Sequence, residues 1–144
     1  MTKLDETWVR YKRLWRTARI LTVSFAALFA ATILMQAAPA FAKTYKVTMT
    51  DKPARYHPEK LTMKSGDTVE WINNARTLHT ATFDPTEAVK KGDAILPKGV
   101  QPFDSGFMLP GKTFSHTFTA PGKYKYFCIP HEKDGMFGYI TVTK

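Results

Sequence analysis

The sequence predicts an all-β protein, a Greek-key β-sandwich of about seven to eight short strands, preceded by an N-terminal signal segment. Three observations predict it. From Tyr45 onward apolar and polar residues alternate, which puts one face of each segment in a core and the other in water. Gly, Pro, Asn and Asp interrupt that alternation at short intervals, as turns between antiparallel strands require. No long stretch of this part follows the 3.6-residue period of a helix, and that combination belongs to sheet-on-sheet architectures.

Tyr45, Val47 and Met49 alternate with Lys46, Thr48 and Thr50, giving a first strand that ends near Asp51-Lys52-Pro53. A second is expected from Tyr56 to Lys64, with Pro58 setting its start at an edge or a bend. Ser65-Gly66-Asp67 turns the chain into Thr68 to Asn73, where Val69 and Trp71 share a face. After the loop Asn73-Asn74-Ala75-Arg76, a strand is expected around His79 to Phe83. Asp84, Pro85 and Glu87 carry the N-cap, first-position and capping-box pattern of one short helical turn, terminated by Gly92. Residues 92–112, rich in Gly and Pro, form an irregular crossover with a short strand near Phe103, and Phe107-Met108-Leu109 covers one end of the core. Three strands finish the chain: Thr113 to Thr119, Lys123 to Cys128, and Phe137 or Gly138 to Thr143. Phe114, His116 and Phe118 share one face of the first of these. Tyr124, Tyr126 and Cys128 share one face of the next, so Cys128 points inward.

Residues 1–42 differ from the rest. Arg10, Lys12, Arg13, Arg16 and Arg19 precede an apolar run from Ile20 to Met35, and AAPAFA offers small residues at Ala40 and Ala42. This is the pattern of a secretory signal cleaved after Ala42, with an uncleaved anchor as the alternative. Residues 43–144 make the second unit, with a size that suits one small sandwich. They hold 15 Lys and Arg against 10 Asp and Glu, a formal charge of +5. Those charges are scattered, without a basic stripe, which argues against nucleic-acid binding. A single Cys in an exported chain cannot form an internal disulfide, so its thiol calls for protection.

The segment FCIPHEKDGMFG, Phe127 to Gly138, places that cysteine, Cys128, with His131 and Met136 in one loop. Taken singly, each has a bland reading: buried thiol, surface imidazole, core filler. Together they make three soft or borderline metal donors that a short loop can converge at small entropic cost. A fourth must come from elsewhere, and His79, opening a strand that can lie beside Cys128, is the candidate. Two imidazoles and a thiolate with a weak thioether are the donors of a blue-copper electron-transfer site, and Pro130 removes one possible N–H donor to the sulfur. A zinc or purely structural site is the colourless alternative. His116 is read as a partly buried histidine, His57 as a surface one, and Met49, Met63 and Met108 as core fillers. No paired carboxylates or nucleophile–base set stands out, so no enzymatic activity is expected.

These residues resemble the cupredoxins, the type 1 blue copper proteins, and among them the plastocyanin-like members. The run YHPEKLTMKSGDTVEWINN (residues 56–74), His79, FTAPGKYKYFC (residues 118–128) and the C-x-P-H-x4-M spacing through Met136 carry the resemblance, over nearly all of residues 43–144. It implies one copper held by His79, Cys128, His131 and Met136. It also implies one-electron transfer by a monomeric carrier between transient partners such as a cytochrome complex and a photosystem or oxidase, in the periplasm or thylakoid lumen. Docking would occur where the His131 ring edge reaches the surface among Leu78, Pro130 and Phe137. A copper chaperone or storage protein of the same fold is the alternative. Thr80 stands where the family typically has Asn tying the two ligand loops, Phe127 where it often has a surface Tyr, and the paired acidic clusters of plant members are missing.

Overall fold

The alternating segments become seven strands in the computed structural model, which describes residues 41–144. They are β1 (Thr44–Asp51), β2 (Ala54–His57), β3 (Lys60–Lys64), β4 (Thr68–Asn73), β5 (Thr113–Thr117), β6 (Gly122–Phe127) and β7 (Phe137–Thr143). One sheet has the order β2-β1-β4-β5 and the other β3-β7-β6. All but the last two residues of the expected signal segment lie outside the described residues.

The second expected strand is two strands in different sheets. Tyr56 sits in β2 and Met63 in β3, and the chain changes layer at Pro58, which has no N–H to give a ladder. That change has a topological result. When a chain leaves a sheet and returns, it is freed from the hairpin constraint, and β1 pairs with β4 in parallel, as β3 does with β7. The expectation of antiparallel strands holds for β1 with β2, β4 with β5, and β6 with β7.

Two further expectations fail because backbone donors are used elsewhere. His79 to Phe83 makes only isolated bridges, His79 to Met108 and Thr82 to both Asp104 and Phe127. The amides between them are taken by side chains, Thr80 by Cys128 Sγ and Ala81 by Ser105 Oγ. Asp84 to Gly92 forms turns rather than a helix. Asp84 Oδ1 accepts from the amide and hydroxyl of Thr86, the Glu87 amide closes one turn on the Asp84 carbonyl at 3.3 Å, and the amides of Val89 and Lys90 donate to the Glu132 carboxylate at 3.1 Å each, so the ladder does not continue. The strand expected near Phe103 is reduced to the Asp104 bridge.

The two inner faces close on aromatic rings. Trp71 meets Phe83, Phe118 and Tyr126 with centroids 5.6, 6.2 and 5.6 Å away. Tyr126 lies between Tyr56 at 4.5 Å and Phe83 at 4.6 Å, and it needs Gly138 opposite it on β7. A Cβ at Gly138 would sit 2.1 Å from the Tyr126 ring. Met49, Met63 and Met108 fill the core as expected, whereas Phe107 and Leu109 are exposed and do not cover it. At the other end Asp67 accepts the amides of Lys43 at 2.8 Å and Lys64 at 2.9 Å, gathering the starts of β1 and β4 and the end of β3.

Candidate metal centre

Cys128 follows β6 directly and keeps the inward direction of Tyr124 and Tyr126, ending with 0% exposure. Its Sγ lies 3.5 Å from His79 Nδ1 and 3.5 Å from His131 Nδ1. One donor atom from each of these three residues falls within 4.8 Å of the others, a spacing that can hold one metal ion. The two imidazole rings are 4.6 Å apart, tilted by 31°. The long-range step from His79 to Cys128 is made by the bridge between Thr82 and Phe127.

The loop is less flexible than its length suggests. Ile129–His131 forms one 3-10 turn with Pro130 near its start, and the His131 amide donates to the Cys128 carbonyl at 3.0 Å. Met136 closes the base: its carbonyl accepts the Cys128 amide at 3.2 Å, and its own amide donates to the His131 carbonyl at 3.1 Å. Met136 is fully buried beside Cys128 in the core cluster. Backbone bonds therefore fix where all three loop residues start.

Thr80 joins this loop to the His79 segment through its hydroxyl. Its Oγ1 accepts the Ile129 amide at 2.9 Å and the Thr82 hydroxyl at 2.8 Å, and its amide donates to Cys128 Sγ at 3.3 Å. The buried Tyr56 hydroxyl donates to the Thr80 carbonyl at 2.5 Å. On the far side of His79, Nε2 lies 3.3 Å from Asp51 Oδ1. The Thr77 hydroxyl and the Arg76 amide, in that order of effect, hold the Asp51 carboxyl down to about 2.

Burial dominates the electrostatics of the donors. It pushes the Cys128 thiol up, against the lowering effect of the Thr80 amide, and it pushes His79 down, against the hydrogen bond to Asp51. Without a metal the pocket thus favours neutral thiol and neutral imidazole. A bound cation supplies the positive charge that stabilises a thiolate there. Two imidazoles and a buried thiol, with Met136 beside them, fit copper on donor softness.

Phe127 is not the surface ring that the sequence suggests; it is 0% exposed. It shares the outward face of β6 with Lys125, whose Nζ reaches the Gly92 carbonyl at 3.0 Å and Asp93 Oδ1 at 2.8 Å. The segment 84–95, pinned by Glu132 and paired to Lys125 through Ile95, runs along this edge and shuts Phe127 in. His116 lies apart from the centre, stacked on Phe103 at 3.7 Å, and His57 is exposed. Asp51, Tyr56 and Thr77 were not singled out from the sequence, and no local pattern marks them.

Residues 43–143 match the family described as copper binding proteins, plastocyanin/azurin family. The chain belongs to the plastocyanin/azurin family. Among its relatives in that family, the plastocyanin of Prochlorothrix hollandica is 38% identical over 122 residues, covering 83% of this chain and 88% of that one. The plastocyanin of Nostoc punctiforme is 41% identical over 108 residues, with 72% and 76% covered. The chloroplastic plastocyanin of Chlamydomonas reinhardtii is 39% identical over 130 residues, with 88% and 81% covered. An oxidised amicyanin mutant superposes with a TM-score of 0.52 at 27% identity, covering 76% of this chain and 88% of that one. For fold alone, the pseudoazurin of Methylobacterium extorquens gives 0.57 at 18% identity, with 70% and 76% covered. As a member of the plastocyanin/azurin family the chain binds copper, and its sandwich is the cupredoxin fold.

Proposed function

We infer that this chain is a one-electron carrier with a single type 1 copper per chain, held by His79, Cys128, His131 and Met136. The burial pattern supports this reading most directly: His79, Cys128 and Met136 are each 0% exposed, while His131 is half-buried. Bound copper supplies the Cu(II)/Cu(I) couple. The two sulfur donors favour the reduced state and the imidazoles suit both. The hydrogen bonds around Thr80 and the loop keep the donors in one arrangement, so electron gain and loss demand little movement of the chain. Electrons enter and leave through the His131 ring.

Beside the two histidines in the chain, Leu78 is 42% exposed and Pro130 is exposed, whereas Phe137 is half-buried with its ring under Lys125 Nζ at 4.3 Å. Phe107 and Leu109 flank Met108, which pairs with His79, and they add apolar surface at 64% and 57% exposure. Redox proteins such as a cytochrome complex and a photosystem or oxidase dock there briefly, and a small apolar contact favours fast release. A donor set closed by Met136 leaves no position for a substrate, so the chain is a carrier rather than an enzyme. The same closure disfavours a chaperone or storage role, which needs a metal that is easily handed over. The chain is exported to a periplasm or thylakoid lumen after cleavage following Ala42, and it works as a monomer.

Cu(II) added to the purified protein gives an intense thiolate-to-copper band that bleaches on reduction and returns on oxidation. Cys128→Ser abolishes the band, and Met136→Leu keeps the colour while raising the potential. An absent band, or copper that cannot be cycled, would sink the carrier reading. Intact mass of the exported protein tests the processing, and a chain still starting at Met1 would refute it.

A further inference from the structure

His79 has two ring nitrogens, and each has its own neighbour. Nδ1 faces Cys128 Sγ at 3.5 Å, and Nε2 faces Asp51 Oδ1 at 3.3 Å, with Thr77 Oγ1 at 3.4 Å from the same nitrogen. His131 also turns Nδ1 to the sulfur, but among the described residues its Nε2 meets no hydrogen-bond partner. The two imidazoles of the site are therefore held differently.

Asp51 is the last residue of β1, and its carboxylate is not free to wander. Oδ2 accepts the Arg76 amide at 2.7 Å, and Oδ1 accepts the Thr77 hydroxyl. Arg76 and Thr77 belong to the segment that leads into His79, so one carboxylate grips this segment at three points. A ring nitrogen facing a carboxylate carries its proton, which leaves the other nitrogen with the free lone pair a metal needs.

We propose that Asp51 is a positioning residue of the metal centre: it accepts the Nε2–H of His79, fixes Nδ1 as the metal-facing nitrogen, and sets a negative charge behind that ring. Reduction lowers the positive charge of the site by one. A fixed negative charge across the imidazole therefore favours the oxidised state and lowers the reduction potential. This rests on the carrier reading, and it adds a residue from the turn of the β1–β2 hairpin to the centre.

The test is redox titration of the copper-loaded protein against a mediator of fixed potential. Asp51→Asn keeps an oxygen acceptor and removes the charge, and it shifts the equilibrium toward the reduced form by about tenfold, the size expected for a partly solvated unit charge at this range. Thr77→Val strips a competing donor from Oδ1, strengthens the bond to His79, and shifts the equilibrium the other way. A merely structural role moves both variants in the same direction or neither. Equilibria within about twofold of wild type, or shifts of the same sign in two folded variants, would overturn the proposal; if Asp51→Asn does not fold, the sign for Thr77→Val decides. The 15N shifts of the metal-free protein give a copper-independent check. His79 is the Nε2–H tautomer in wild type and loses that preference in Asp51→Ala, and an unchanged tautomer counts against the positioning role. A wild-type protein without the thiolate band defeats the carrier reading separately.

Discussion

Thr80 commits every polar group it has. Its amide, carbonyl and hydroxyl engage Cys128, Tyr56, Ile129 and Thr82. Thr80→Val keeps the shape and removes one oxygen, leaving the Ile129 amide short of an acceptor while the Thr82 hydroxyl keeps Asp104 Oδ2. The expected cost is about 1–3 kcal/mol, read from denaturant midpoints, together with faster copper loss. At this scale the donors were legible because Cys128, His131 and Met136 share one loop, and His79 because a strand start beside Cys128 was the remaining place for a donor. The work of Thr80 was open from the sequence, which showed only that it replaces an amide side chain. Asp51 and Tyr56 could not be seen, since their partners lie 28 and 24 residues away and nothing local encodes the meeting.

Segment 84–95 shows how a good local signal loses to a distant acceptor. Asp84, Pro85 and Glu87 spell a helix start, yet Glu132, a residue of the metal loop, takes the amides that would continue it. The Glu132 side chain is buried to 7% exposure by this contact. Glu132→Ala is expected to release the segment: the Val89 and Lys90 amides lose protection from hydrogen exchange, and Phe127 gains solvent contact, seen as faster exchange along β6. Unchanged protection at Val89 and Lys90 would show that Ile95 and Lys125 suffice to hold the segment down. The same competition explains His79 to Phe83, whose period-two pattern was right for direction and wrong for pairing. The splitting of β2 from β3 was half visible, because Pro58 marked a break but not a change of sheet.

Across the whole molecule the two sheets meet at Tyr126, whose ring fills the space that Gly138 leaves. Tyr56 and Phe83 block its movement to either side. Gly138→Ala therefore overpacks the interior at a cost of about 1–3 kcal/mol, read from the denaturant midpoint. Because Tyr56 also holds the Thr80 carbonyl, the same variant is expected to retain copper less well. The sandwich followed from alternation and turn signals alone, while the count of seven agrees because one expected strand split as others shrank to bridges. The parallel pairings did not, because they arise from the path of the chain between layers rather than from any strand's own pattern.

Asp67 adds a pH dependence at the opposite end from the metal. The Lys43 amide, then the Lys64 amide, lower its carboxyl below the ordinary value. A carboxyl lowered on folding stabilises the protein above its unfolded value of about 3.9, and that contribution disappears as pH falls through the folded one. Asp67→Asn is expected to flatten this acid limb of stability in metal-free protein, measured by thermal unfolding at a series of pH values.

The same contact means something different once the chain starts at Lys43. The nitrogen 2.8 Å from Asp67 Oδ1 is then no longer an amide but a terminal ammonium, and an amide-to-carboxylate hydrogen bond becomes an ion pair at the junction of three strands. A chain beginning at Ala42 lacks that pair. The processed form is expected to melt higher at low salt, with the difference erased in Asp67→Asn. Proteolysis would then do more than release the carrier: the cut itself would install the last charge of the fold.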